Sequence, residues 1–165
     1  MHDTPLPLDG ILVVSLEQAV AAPICAARLA QAGARVIKVE RPEGDFARGY
    51  DDFVKGEATY FVCANQNKES VRLDLKSPQD LAVMKNMLAR ADVFIQNLAV
   101  GVAARLGLAA DQLREISPGL VTCSISGYGE DGPCAGMKAY DMLIQAESGL
   151  PSISGGNRIG ISLAD

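Results

Sequence analysis

Short apolar runs rich in valine, isoleucine and leucine recur along the chain, each followed by turn residues or by a stretch with helical spacing. Residues 11–16, ILVVSL, are short and almost continuously apolar, which predicts a strand covered on both faces. Residues 23–33 predict a helix, with Pro23 in its first turn and Gly33 at its C-terminal stop. ARVIKVE, 34–40, predicts a second strand, and the polar stretch after it, with Gly44, Gly49 and Gly56, reads as a long loop. SVRLDL, 70–75, predicts a third strand. Ser77 and Pro78 then open a helix to about residue 91, with Leu81, Met84 and Leu88 at helical spacing. DVFIQNL, 92–98, is a fourth strand, two short helices follow over 101–106 and 110–116, and LVTCSIS, 120–126, is a fifth strand. Residues 138–149 predict another helix. Over 158–165, Ile159, Ile161 and Leu163 alternate with Gly160, Ser162 and Ala164, the pattern of extended chain.

Apolar strands separated by helices imply an α/β fold: a Rossmann-like, doubly wound, mostly parallel sheet with helices on both faces. Ligands of such sheets bind beyond the carboxyl ends of the strands. Those ends carry Glu17, Gln18, Glu40, Arg41, Lys76 and Asn97, together with the 127–138 loop.

Composition narrows the chemistry. The chain has 165 residues, 48% hydrophobic and 21% charged, which is globular and of single-domain size. A net charge of −5 predicts no nucleic-acid partner. No apolar run approaches the roughly 20 residues that span a bilayer. Cys25, Cys63, Cys123 and Cys134 form no C-x-x-C pair and read as reduced thiols of a cytoplasmic protein. His2 is the one histidine, which argues against Ser-His-Asp, Cys-His and histidine-rich metal sites, so no metal is expected. A nucleophile or base here is a carboxylate, lysine, tyrosine, cysteine or serine.

Gly127-Tyr128-Gly129-Glu130-Asp131-Gly132 spells a formal G-x-G-x-x-G after a strand. A dinucleotide site needs a helix N-terminus next, to receive the pyrophosphate. Pro133 to Gly136 read as loop instead, and Glu130 and Asp131 would repel a phosphate, so the segment is expected to be a mobile loop able to act as a lid. Arg41, Lys76, Arg105 and Lys138 fall at strand ends or in loops. Singly each reads as a surface charge; together on one rim they would form a phosphate-binding patch. Asn97 would bond a base or ribose, or cap a turn. Asp141 and Glu147 are six apart and share no helix face, whereas Asp165 closes a strand-like run in a fold whose strand ends host chemistry.

VVSLEQAVAAPICAARLAQAGARVIKVERPEGD, NQNKESVRLDLKSP, ADVFIQN, ARLGL, ISGYGEDGP, KAYDMLIQAESGL and ISLAD, in this order and spacing, resemble the class III (CaiB/BaiF-like) CoA-transferases over nearly the whole chain. The resemblance implies a large Rossmann-like domain and a smaller one, with two chains interlocked as a homodimer. It also implies a longer protein, of which residues 1–165 are the N-terminal part of the large CoA-binding domain. The small domain and the C-terminal return of the chain would then lie elsewhere.

By the same resemblance Asp165 in ISLAD is the catalytic nucleophile. Arg41, Leu73, Lys76, Asn97, Arg105 and Lys138 are the residues that contact coenzyme A, which enters as the acyl-CoA substrate, with a small carboxylic acid as its partner. Some family members carry glutamine in the first βα turn where Val20 aligns here, with Gln18 nearby. The implied reaction moves CoA from a thioester to the acid through aspartyl-anhydride and aspartyl-CoA intermediates. Two alternatives stand beside it. One is a racemase of the same family, which uses a histidine in the segment aligned with KAYDM, where this chain has Tyr140. The other is a non-catalytic CoA- or nucleotide-binding module.

Overall fold

A computed structural model describes residues 5–156. The chain divides into two compact units, Met1–Ile125 and Ser126–Asp165. The extended segment expected over 158–165, with Asp165, lies outside the described residues.

Among the described residues the first unit holds five strands, β1 (Leu12–Leu16), β2 (Arg35–Glu40), β3 (Lys68–Arg72), β4 (Val93–Gln96) and β5 (Val121–Ser124). They pair in the order β3-β2-β1-β4-β5, every pair parallel. This is the expected doubly wound sheet, and its order reverses between β1 and β4. Successive residues of β1 face opposite ways. Val13 packs with Val36, Ile95 and the alanines Ala22, Ala26 and Ala30 of α1 (Ala21–Gln31). Val14 and Leu16 pack with Val39 and Phe94, with Met84 and Leu88 of α3 (Pro78–Leu88), and with Leu113 of α5 (Ala110–Ile116). Both faces of the sheet are therefore covered.

Local signals place the helix ends. Ser77 caps α3 by accepting from the Asp80 N–H, as Ser-Pro predicts. Gly33 stops α1 with φ +107, and a Cβ there would meet the Leu6 Cβ at 2.5 Å, so no other residue fits. Two expectations need correction. The 41–69 stretch is no bare loop, because it holds a 3-10 turn (Phe46–Gly49) and α2 (Thr59–Ala64). The third strand lies two residues earlier than its apolar pattern suggests, since β3 is an edge strand and tolerates Lys68 and Glu69. The short helix expected over 101–106 is present as α4 (Val102–Arg105), a single turn.

In the second unit, 127–136 forms turns with no helix before α6 (Asp141–Glu147), as the loop reading requires; α7 (Leu150–Ile153) follows. A Cβ on Gly127 would meet the Ala139 Cβ at 1.9 Å, so the glycine lets the loop and the segment before α6 pack directly. Among the described residues, no helix is long and apolar enough to cross a membrane.

Candidate functional site

The α1-facing positions of three strands change character toward their carboxyl ends. Val13 and Val36 are apolar, but Ser15 and Glu17 follow on β1 and its end, Lys38 and Glu40 on β2, and Lys68 and Ser70 on β3. Burying so much charge is tolerable only if every group is paired. Lys38, with its side chain 1% exposed, reaches Asp45 at 2.7 Å and Glu17 at 3.6 Å. The Lys68 ammonium donates to Glu17, to the Pro23 carbonyl at 2.7 Å and to Asn65 Oδ1 at 3.2 Å, which uses all three of its protons. Asn65 Oδ1 also accepts from Lys38 at 2.9 Å. Ser15 completes the set by donating to Glu17. Burial pushes Lys68 below the ordinary lysine value, and Glu17 beside it works the other way.

A second pair adjoins this cluster. Arg48 forks onto Glu40 with Nε and Nη2 at 2.9 and 2.8 Å, and the Ser70 hydroxyl and Asp45 N–H also donate to that carboxylate. Burial opposes the charged form of Glu40, but these donors outweigh it and hold its pKa at about 2. The Phe61 ring of α2 lies against both cations, 3.8 Å from Arg48 and 5.2 Å from Lys38.

An apolar cleft of about 270 Å³ opens beside this network, at the carboxyl ends of β1, β2 and β3. That is slightly below the roughly 300–1,000 Å³ of small-molecule pockets, so it suits one end of a larger ligand. Leu16, Val39, Leu73, Leu75 and Leu98 wall it, with Val102 and Leu106 of α4. Arg41 and Lys76 stand on its rim, both exposed. Arg41 is steadied by its Nε–H bond to the Gly44 carbonyl at 2.9 Å and by the Phe46 ring at 5.9 Å.

Of the residues predicted from sequence, Arg41, Leu73 and Lys76 therefore meet at one cleft. Arg105 is exposed on α4, between the wall residues Val102 and Leu106. Asn97 follows β4, half-buried; its Oδ1 accepts from the Gln18 N–H at 3.0 Å and its Nδ2 donates to the Gln18 carbonyl at 2.8 Å. Lys138 is exposed in the second unit, before α6. Asp165 lies outside the described residues. In the first βα turn Gln18 lines the cleft, whereas Val20 is only 4% exposed. Sequence reasoning passed over Lys38, Asp45, Asn65 and Lys68. The one signal was a lysine amid the valines of RVIKVE.

The sequence profile of CoA-transferase family III matches residues 8–165, and the chain belongs to that family. It is 36% identical over 170 residues to succinyl-CoA:glutarate CoA-transferase of Mus musculus, covering 99% of this chain and 39% of that protein. It is 40% identical over 150 residues to acetyl-CoA:oxalate CoA-transferase of Acetobacter aceti, covering 90% and 39%. The crystal structure of a CAIB/BAIF family protein from Brucella suis superposes with a TM-score of 0.91 at 35% identity, over 96% of this chain and 45% of that one. The chain thus spans about two fifths of the length of these curated relatives.

Proposed function

We propose that residues 1–165 form the N-terminal, CoA-binding part of a longer, cytoplasmic, homodimeric enzyme that moves CoA from an acyl-CoA to a small carboxylic acid. The observation that carries this reading is the family match over residues 8–165, which takes in a cleft walled by Leu73 with Arg41 and Lys76 on its rim. The relatives are named for glutarate and oxalate, which supports a dicarboxylic acid as acceptor.

In this reading Arg41, Lys76 and Arg105 neutralise the CoA phosphates, Leu73 walls the adenine, and Asn97 holds the turn at Gln18 beside them. The Asp165 carboxylate attacks the thioester carbonyl, the C–S bond breaks, and CoA leaves as thiolate with the acyl group held as an anhydride. The thiolate attacks the aspartyl carbonyl, releasing the donor acid and leaving an aspartyl-CoA thioester. The acceptor carboxylate then attacks that thioester, and CoA thiolate returns to the acceptor's acyl carbon, which frees Asp165. A racemase would need a second proton-transferring base; the position aligned with the racemase histidine is Tyr140 and the chain's only histidine is His2, which favours transfer.

The test is intact mass of the full-length enzyme after incubation with short acyl-CoAs and hydroxylamine. A hydroxamate at Asp165, absent in Asp165→Ala, is expected. A folded enzyme that binds CoA yet gives no adduct would overturn the covalent route.

A further inference from the structure

One polar group on the cleft wall is unspent. The side chain of Gln18 lines the cleft, and its carboxamide has no hydrogen-bond partner among the described residues. The main chain around it is held hard. Asn97, from the far side of the point where strand order reverses, grips the Gln18 N–H at 3.0 Å and carbonyl at 2.8 Å. The next residue, Ala19, sits at φ 63, a conformation L residues avoid. Its N–H donates to Asp45 Oδ1 at 3.1 Å, while the other Asp45 oxygen takes Lys38 at 2.7 Å. Backbone strain of this kind persists where the surroundings over-determine it, and such places cluster at ligand sites. Here the strained turn fixes the point from which one free carboxamide emerges.

The surroundings also say what that carboxamide meets. Gln18 stands among Leu16, Val39 and Leu98, and the neighbouring carboxylates Glu17 and Glu40 are each matched by buried or half-buried cations. With the cations Arg41 and Lys76 out on the rim and the carboxylates of Glu17 and Glu40 already matched, the apolar wall at Gln18 suits a neutral carbonyl better than a carboxylate, which would lose its water there. An acyl-CoA offers three such carbonyls near its reactive end: the two pantetheine amides and the thioester itself.

We propose that Gln18 is a specificity-determining residue that donates a hydrogen bond to a neutral carbonyl of the bound thioester, and that Asn97 is a positioning residue acting through it. This rests on the CoA-transferase reading above. It gives the Asn97 amide a role in shaping the turn, since both ends of that amide are already engaged by Gln18.

The experiment is a double-mutant cycle in the full-length enzyme, with Gln18→Leu, Asn97→Ala and the pair together. Steady-state constants are measured for acyl-CoA and for acceptor acid, and free CoA binding by calorimetry. Gln18→Leu is expected to raise the KM for acyl-CoA about fivefold to tenfold, the worth of one neutral hydrogen bond, and to leave the KM for acceptor unchanged. Asn97→Ala should reproduce that defect, and the double variant should be no worse than Gln18→Leu alone. Asn97→Asp keeps the acceptor for the Gln18 N–H and should show part of the defect, which guards against a misfolded alanine variant. An equal loss of free CoA affinity assigns the bond to a pantetheine amide; a loss confined to acyl-CoA assigns it to the thioester.

The proposal falls if only the acceptor's KM moves, if the two single defects multiply, or if Asn97→Ala lowers the melting temperature while the folded enzyme keeps its kinetics. An enzyme that binds CoA and transfers nothing would remove the transferase reading instead, and the calorimetric comparison would still decide the role of Gln18.

Discussion

Replacing Lys38 by methionine isolates what the buried charge cluster contributes. Methionine fills most of the lysine's volume, so the change removes charge and hydrogen bonds rather than packing. Three polar interactions go, to Asp45 at 2.7 Å, Asn65 at 2.9 Å and, at longer range, Glu17 at 3.6 Å, together with the ammonium's approach to the Phe61 ring at 5.2 Å. Breaking a buried pair by deleting one partner costs about 3–5 kcal/mol, against about 0.2–1 for an exposed pair. Asp45 keeps the N–H bonds of Ala19 and Ala47, and Glu17 keeps Lys68 and Ser15, so the lower end applies. About 3 kcal/mol is a large part of the roughly 5–15 kcal/mol that hold a domain together. With a urea slope of about 2 kcal/mol/M, the unfolding midpoint falls by about 1.5 M.

A second substitution gives an independent check on this variant. Adding Asp45→Asn, which keeps an oxygen for both N–H groups but removes the charge, should recover about half of the loss. A deficit under about 1 kcal/mol, or no recovery in the double variant, would show that the cluster is not a buried electrostatic unit.

Other outcomes follow from the same geometry. Glu40 is held at about 2 against 4.5 for a free glutamate, so the stability it contributes is complete above pH 4.5 and is lost as pH falls toward 2. That amounts to at most about 3 kcal/mol, nearer about 2 once solvent screening at the one-third exposed Arg48 is allowed for. Arg48→Met should move the acid-unfolding midpoint, followed by circular dichroism, upward by a pH unit or so. Ala19→Gly relieves the φ 63 strain and should raise stability by about 0.5–1 kcal/mol in thermal melts; a drop would mean that the methyl group is packed. Arg41→Ala and Lys76→Ala should each weaken acyl-CoA binding about tenfold, with a shallower salt dependence, because each would remove one charge-assisted phosphate contact. Equal binding of all three proteins across salt concentrations would place the phosphates elsewhere.

The sheet could be read from the sequence because its central strands are covered on both faces and their apolar runs leave no helical alternative. Where that condition lapses, so did the reading. β3 is an edge strand that opens on Lys68 and Glu69, so the apolar positions Leu73 and Leu75 drew the strand forward, whereas both line the cleft beyond it. TYFVCA carries β-branched and aromatic residues with weak helix preference, and tertiary contacts of Phe61 and Asn65 with the two lysines make it α2. The cationic rim was legible residue by residue, since strand ends are known ligand positions. The cluster beneath it was not. Pairing Glu17 with Lys68 requires two strands 51 residues apart to arrive with facing side chains. No local pattern encodes that meeting.

Lys38 also has a consequence for how the strands find their alignment. Apolar side chains are interchangeable, and a sheet built from valines alone would tolerate sliding by two residues with little change in what is buried. Ser15, Lys38 and Ser70 stand abreast across β1, β2 and β3, with the acids one step beyond on two of those strands. A two-residue slip of β2 one way would set its ammonium opposite Val13, away from Glu17, and the other way would part Glu40 from the Ser70 hydroxyl that donates to it. The charges thus act as a vernier: hydrophobic burial brings the strands together, and only one setting of the scale closes.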